Sequence, residues 1–266
     1  MAEDKRELQL ALHLALIEQM NNDTDLDVLA VFSHPDDAEL TMAGTLIKLK
    51  SLGHRTGVLD MTRGEMGTRG TPEIRAKESL DAARVMGLDT RLNLEQPDGR
   101  VTLTDESRGA LVRVLRKTRP RVVFTSHWDD PHPDHAATCR IVREASRLAT
   151  IRRYDEGAGL PPIKMPAIAH AVYSRLVLPS FIVDVSEFAD AKMNAIRAHA
   201  SQFYSDESKE PSTRISAKGF LRQIEERMRY YGSLIDVEAG EPFYVREALN
   251  VDDPFALLTR SMNIYS

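Results

Sequence analysis

Val28-Leu29-Ala30-Val31-Phe32-Ser33-His34-Pro35-Asp36-Asp37-Ala38-Glu39 sets an apolar run directly against a cluster of imidazole and carboxylate side chains. The apolar half is short, continuous and partly β-branched, which reads as a strand buried on both faces of a parallel sheet. A helical pattern follows over about residues 38–52, and Gly53 suits the position just past its end. A strand that turns through polar residues into a helix is the first unit of an open α/β sheet. Such turns gather along one sheet edge, where ligands bind.

The same unit recurs outward from this stretch. Residues 56–61 form a second strand candidate, followed by a Gly-rich loop, and Thr71 with Pro72 supplies an N-cap and first-turn proline for a helix ending at Gly87. Residues 91–94 read as a third strand. Thr104 with Asp105 and Glu106 opens a third helix, Pro120 stops it, residues 121–126 form the next strand, and a fourth helix runs over about 134–150. This alternation predicts the α/β class: a Rossmann-like parallel sheet flanked by helices, with right-handed crossovers. Beyond it, residues 155–162 are loop-like. Strands are expected at 171–173 and 181–185, helices at 186–202 and 217–231, and a polar segment at 205–212. The domain reading is a Rossmann-like core over about 25–150, with a C-terminal portion, 151–266, that completes the sheet and covers the site. Residues 1–24 form a helical extension whose stripe of Leu8, Leu12, Ala15, Leu16 and Met20 suits core or subunit packing.

Composition narrows the classes. With 266 residues, 42% hydrophobic and 28% charged, the chain can bury the core of one large domain. A net charge of −5 without a Lys/Arg-rich run argues against a nucleic-acid partner. Cys139 is the only cysteine, so no internal disulfide can form and a cytoplasmic location is expected. The first residues are too charged for a secretory signal, and no apolar run approaches the ~20 residues of a membrane span.

A second cluster, Pro131-His132-Pro133-Asp134-His135, follows the strand at 121–126 just as the first follows residues 28–32. The topological match matters more than either cluster alone. Imidazole with carboxylate suits a borderline metal such as zinc, and a hydrolytic site needs about three protein ligands and an open position. His34 and Asp37, three apart in a turn, can face one ion while Asp36 projects elsewhere; the alternative is an aspartate N-cap with His34 as a turn residue. In the second cluster His132 and His135 are either both ligands, or one binds metal while the other faces substrate with Asp134 fixing its tautomer. The bland alternative is a Pro-rich loop with Asp134 as helix N-cap.

The loop Gly64-Glu65-Met66-Gly67-Thr68-Arg69-Gly70-Thr71 fits neither a Walker loop nor a dinucleotide fingerprint. It reads as a flexible substrate loop that brings Glu65 and Arg69 to the ligand, the alternative being a plain surface turn. Arg75 either clamps a carboxylate or sugar hydroxyls or is an exposed helix arginine, and Asp98, in Gln96-Pro97-Asp98-Gly99, occupies the same edge or simply makes a β-turn. Cys139 lies one turn after His135 and reads as a small buried helix residue, the alternative being a fourth ligand, whose thiolate would close the open position. His199 and Gln202 share a helix face, in either a packing or a supporting role.

The pairing of His34-Pro35-Asp36-Asp37 with His132-Pro133-Asp134-His135 resembles the LmbE-like, or PIG-L-type, zinc-dependent N-acetylglucosamine deacetylases. The run from Thr62 to Ser79, the turn Leu94-Glu95-Gln96-Pro97-Asp98-Gly99-Arg100, the stretch Ala198-His199-Ala200-Ser201-Gln202-Phe203 and Gly240-Glu241-Pro242-Phe243 resemble the branch that serves bacillithiol biosynthesis. The resemblance implies hydrolysis of N-acetylglucosaminyl malate to glucosaminyl malate and acetate. It implies His34, Asp37 and His135 as ligands of zinc, with Fe2+ or another divalent metal as alternatives, and Asp36 as general base. His132 would be the second catalytic group, Asp134 its orienting partner, and Arg75 a substrate-binding residue. It also implies a small-molecule glycoside substrate, no membrane partner, and a homo-oligomer, trimer or hexamer. Ser33 replaces the usual alanine, and Asp130-Pro131 stand where some relatives carry tyrosine or arginine, which leaves the contacts near Asp130 open. Rival readings are a deacetylase of another N-acetylglucosamine conjugate, a metal-dependent phosphoesterase, and a non-catalytic carbohydrate- or metal-binding protein.

Overall fold

Strand β1, Val28–Phe32, is buried along its whole length and pairs in parallel with β2 (Thr56–Thr62) on one side and β4 (Val122–Ser126) on the other. The structure, a computed structural model, describes residues 25–174, 177–204, 206 and 208–259. The expected N-terminal helix over residues 3–20 lies outside the described residues, as does Ser205 at the start of the expected polar segment. With β3 (Thr90–Gln96), β5 (Ala167–Ala171), β6 (Phe181–Asp184) and β7 (Gly240–Tyr244), the strands form one seven-stranded sheet in the order β3-β2-β1-β4-β5-β7-β6. From β3 to β5 every pairing is parallel, and β7 runs antiparallel to both β5 and β6.

Side chains alternate across β1. Leu29 and Val31 point into a core built with helices α3 (Asp105–Thr118) and α4 (Pro133–Ala149), through Leu111, Leu115, Ile141 and Val142. Val28, Ala30 and Phe32 face the other layer, made by α1 (Asp37–Ser51) and α2 (Pro72–Met86), through Met42, Leu46, Ala82 and Met86. Helix α5 (Ala189–Ala198) joins this second layer through Ala195. Both sheet faces are covered, which is why β1 reads as a continuous apolar run. Helix starts follow the sequence signals: Thr71 accepts from the Ile74 N–H, and Thr104 with Ser107 forms a reciprocal capping box.

The C-terminal portion departs from expectation in three places. The strand expected at 171–173 lies at Ala167–Ala171, because pairing with β4 sets Ala167 against Val122 and carries the ladder only to Ala171. The helix expected at 186–202 is a short 3-10 turn, Ser186–Phe188, followed by α5, which stops at Ala198. Strand β7 was not expected at all, since Gly240 and Pro242 both weaken a strand pattern. The last two helices are α6 (Phe220–Ser233) and α7 (Pro254–Leu258). Among the described residues no helix is long and apolar enough to cross a membrane.

The chain builds β1, β2 and β3 in one direction and then crosses back to β4, so strand order reverses between β1 and β4. In open α/β sheets the crevice beyond the strand ends at such a reversal is the natural ligand site. His34 follows β1 and His132 follows β4, so both clusters open onto it.

Candidate active site

Three donor atoms converge beyond β1 and β4. His34 Nδ1 lies 3.2 Å from Asp37 Oδ2, and His135 Nε2 lies 3.2 Å from the same oxygen and 3.3 Å from His34 Nδ1. Ligands held at about 2.0–2.2 Å around a tetrahedral ion sit roughly 3.3–3.5 Å apart, so this near-equilateral triangle fits one face of such a site. Looser groupings of His34 with His132 and His135, or with Asp98 and Asp134, place single donor atoms within 4.8 Å of one another. The tight triangle is the better match to one ion.

Each histidine of the triangle is held from behind by a carboxylate. His34 Nε2 is 3.0 Å from Asp98 Oδ1 and 3.4 Å from Asp134 Oδ2, while His135 Nδ1 is 3.1 Å from Asp130 Oδ1. These partners select the ring nitrogen that faces the ion position and raise its basicity. Burial disfavours charge on both rings, yet Asp37 and the carboxylates behind overcome it, taking His34 up to about 12 and His135 up to about 10. Burial likewise opposes charge on Asp37, but His135 and His34 hold its carboxyl well below the usual range. The negative potential at this spot suits a cation.

Asp36 is adjacent to Asp37 yet faces elsewhere. Its backbone is at φ 114°, a region that non-glycine residues rarely occupy, and this local strain turns the two neighbouring carboxylates apart. Arg75 holds the strained turn: Nη2 donates to Pro35 O at 2.6 Å and lies 3.5 Å from Asp36 Oδ2, while Nη1 donates to Gly64 O at 2.9 Å. Burial pushes the Asp36 carboxyl up to about 6, against the pull of Arg75 and with the help of Asp37. A carboxyl near neutrality beside a metal position is suited to proton transfer.

His132 caps helix α4, its Nδ1 accepting from the Asp134 N–H at 3.2 Å. In the neutral ring that bond puts the proton on Nε2. The ring stacks on His135 with centroids 4.6 Å apart and meets His34 edge-on at 4.8 Å. Burial and the neighbouring His135 and His34 lower its proton affinity.

These side chains line a cleft of about 550 Å³. The C-terminal portion supplies one wall through Tyr173, Ser174, Gln202, Arg214 and Ile215.

Sequence expectations for five individual residues change here. The Asp134 carboxylate does not orient His132; its oxygens accept from Gly99 N at 2.7 Å and Val101 N at 3.2 Å, which pins the 97–101 turn beside His34. Arg75, expected on the substrate, is 4% exposed and its guanidinium is committed to backbone carbonyls and Asp36. Asp98 and Glu65 brace each other's loops instead of reaching out, Asp98 Oδ2 accepting from Met66 N and Glu65 Oε1 from Asp98 N, both at 2.9 Å. Arg69 does not line the cleft; it donates to Ser201 O, Phe203 O, Ser208 Oγ and Pro211 O, tying down the segment after α5. The Gly-rich loop is shaped by close approach: a Cβ on Gly64 would sit 1.9 Å from Arg75 Nη1. His199 does not extend α5 but ends it, and its buried ring lies 3.2 Å from Glu39 in a network with Arg91 and Asp60. Cys139 is buried, with its sulfur 3.6 Å from His170 Nδ1. Sequence reasoning missed Tyr173, Ser174 and Arg214, which carry no motif. Asp130 was traceable, since an acid five residues before a ligand candidate on the same turn is a natural support.

Residues 29–146, which contain both clusters, match the PIG-L family, described as GlcNAc-PI de-N-acetylase. The chain is 34% identical over 189 residues to a probable N-acetyl-alpha-D-glucosaminyl L-malate deacetylase 2 of Bacillus anthracis, covering 66% of this chain and 81% of that protein. This chain belongs to the PIG-L family. A conserved protein of Thermus thermophilus superposes with TM-score 0.76 at 39% identity, covering 85% of this chain and 97% of the other. N,N'-diacetylchitobiose deacetylase from Pyrococcus horikoshii superposes with TM-score 0.74 at 28% identity, covering 95% and 97%. The chain is a PIG-L deacetylase, an enzyme that hydrolyses an amide bond.

Proposed function

We propose that this PIG-L deacetylase removes the N-acetyl group of N-acetylglucosaminyl malate, giving glucosaminyl malate and acetate as a step of bacillithiol biosynthesis. The observation that carries the chemistry is the triangle of His34 Nδ1, Asp37 Oδ2 and His135 Nε2 with Asp36 turned out of it. The substrate rests on the similarity to the Bacillus anthracis protein and on the motifs shared with that branch. Zinc is the ion proposed for the triangle, with Fe2+ as the next candidate, because two imidazoles and one carboxylate form a borderline donor set. The enzyme is proposed to work in the cytoplasm, consistent with its one buried cysteine, and to assemble as a homo-oligomer.

An acetamide is a poor electrophile and an amine a poor leaving group, so hydrolysis needs an activated water, a stabilised oxyanion and a proton for the nitrogen. An ion held by His34, Asp37 and His135 would supply Lewis-acid polarisation of a carbonyl and acidify bound water. Asp36, held by Arg75 next to the triangle but outside it, accepts the proton of the attacking water. His132 presents Nε2–H to the oxygen on which charge develops, and Asp134 N fixes the tautomer that makes this donation possible. Either His132 or the newly protonated Asp36 then delivers a proton to the departing amine. Asp98 and Asp130 keep the two histidine rings in register throughout.

Acetate release from N-acetylglucosaminyl malate, measured with metal content on the same preparation, tests this reading. The expected result is about one metal ion per chain and at least a tenfold higher kcat/KM than on N,N'-diacetylchitobiose. The reverse preference would reject the malate conjugate and keep the deacetylase.

A further inference from the structure

The charges lining the cleft are unevenly committed. Of its carboxylates, Asp37, Asp98 and Asp130 face His34 or His135, and Asp36 lies beside Arg75. Two arginines line it. Arg75 is buried and bound to Pro35 O and Gly64 O, so it has little left to offer a ligand. Arg214 is exposed, and among the described residues its side chain makes no hydrogen bond or ion pair. A guanidinium left without a carboxylate on the rim of an acid-rich cleft is available to an anion that arrives with the substrate.

The mount beneath Arg214 is ordered. Thr213 N donates to Ser216 Oγ at 2.7 Å and Ser216 N donates back to Thr213 Oγ1 at 3.1 Å, closing a turn around Arg214 and Ile215. Ile215 packs against the cluster of Met193, Phe203 and Phe220. Arg69 ties the approach to this turn through Pro211 O and Ser208 Oγ. Nearby, the Arg227 guanidinium lies 5.0 Å from the Tyr173 ring centroid and donates to Val172 O. The C-terminal wall is thus the basic side of the cleft, whereas the ion side is acidic. A substrate that places its acetamide at the triangle and an acid at the far end of its aglycone matches this polarity.

We propose that Arg214 is the specificity-determining residue that binds a carboxylate on the aglycone of the substrate. The proposal rests on the deacetylase reading of the cleft and deepens it. Arg214 acts on binding, not on the reacting atoms, so its contribution is equal in ground and transition states and falls on KM. A charge-assisted bidentate contact at a partly exposed site is expected to contribute about ten- to a hundred-fold in affinity.

The test uses the metal-loaded full chain and its R214Q and R214K forms, with kcat and KM on N-acetylglucosaminyl malate and on neutral N,N'-diacetylchitobiose. The expected result is that R214Q lowers the ratio of kcat/KM for the acidic over the neutral conjugate by about ten- to a hundred-fold, mostly through KM, and that R214K recovers part of it. A ratio within about threefold of wild type, or an equal loss of kcat on both conjugates, overturns the proposal. Calorimetric binding of L-malate alone separates this question from catalysis. If wild type fails to hydrolyse the malate conjugate, the substrate reading falls, but L-malate binding that weakens about tenfold or more in R214Q still upholds Arg214 as a carboxylate site. Wild type that binds no L-malate, or R214Q that binds it equally well, overturns it.

Discussion

His34, half-buried just after β1, and His170, fully buried on β5, stand on either side of β4, and the protein treats them in opposite ways. His34 is surrounded by Asp37, Asp98 and Asp134, which overcome burial and carry it up to about 12. His170 meets a carbonyl, Ser126 O at 3.0 Å, and the Cys139 sulfur; burial dominates and brings it down to about 4. Its Nε2 has no hydrogen-bond partner among the described residues. Burial alone makes a neutral core histidine. Convergent carboxylates make a place for a cation.

The largest effects are expected where this contrast is removed. Alanine at His34, Asp37 or His135 should abolish both bound metal and acetate release, because a three-ligand site cannot spare a ligand; His170→Leu should retain full metal. Metal retained in any of the first three variants, measured by elemental analysis, would remove that residue from the triangle.

Next comes the difference between the adjacent acids. Asp36→Asn should keep the metal and lower kcat by about 10²–10⁴, the usual cost of losing a general base. Arg75→Ala should follow it, lowering kcat more than it raises KM, since the Arg75 guanidinium, although it lines the cleft, is committed to Pro35 O, Gly64 O and Asp36. A pure KM effect for Arg75→Ala would return that residue to the substrate.

Smaller again are the supporting carboxylates. Asp98→Asn and Asp130→Asn should each weaken metal affinity by about 10–100-fold without unfolding the chain, as loss of a ligand's hydrogen-bond partner does. Competition with a chromophoric chelator measures this, and unchanged affinity would show that the rings keep their orientation unaided.

The smallest effect is on stability. His170 takes up a proton only near pH 4 when folded, against about 6.5 when unfolded. The unfolded chain therefore binds more protons in that window, and stability falls as pH drops from about 6.5 to about 4. His170→Leu should flatten this part of the urea-midpoint profile; an identical slope in both proteins would show that other groups set it.

Much of this is legible in the amino-acid sequence alone, for identifiable reasons. The strand–helix units announced themselves through apolar runs and through caps such as Thr71-Pro72 and Thr104, and the common position of the two clusters after β1 and β4 located the crevice. Direction was harder. Spacing places Asp36 and Asp37 in one turn, but only the φ of 114° shows how they part. Arg75, on a helix, and Arg69, in the Gly-rich loop before it, looked like ligand-binding arginines because exposure cannot be read from a position in the sequence, and both are spent largely on carbonyls. Strand β7 was illegible because its stability comes from pairing with β5 and β6, against the preferences of Gly240 and Pro242. Arg214 belongs to no motif, and only the shape of the cleft gives it meaning.

The contact between Gly64 and Arg75 bears on how this enzyme can be altered. With a Cβ at Gly64 only 1.9 Å from Nη1, and one at Gly67 only 3.0 Å from the same atom, the loop's glycines are bound to the guanidinium that holds Asp36. Within the same few residues Met66 is 71% exposed. A library aimed at new aglycones can therefore vary the Met66 side chain, whereas a side chain added at Gly64 or Gly67 would meet Arg75 and travel through it into the catalytic turn. Loop length and mobility, the usual guides to tolerance, would mislead an engineer here.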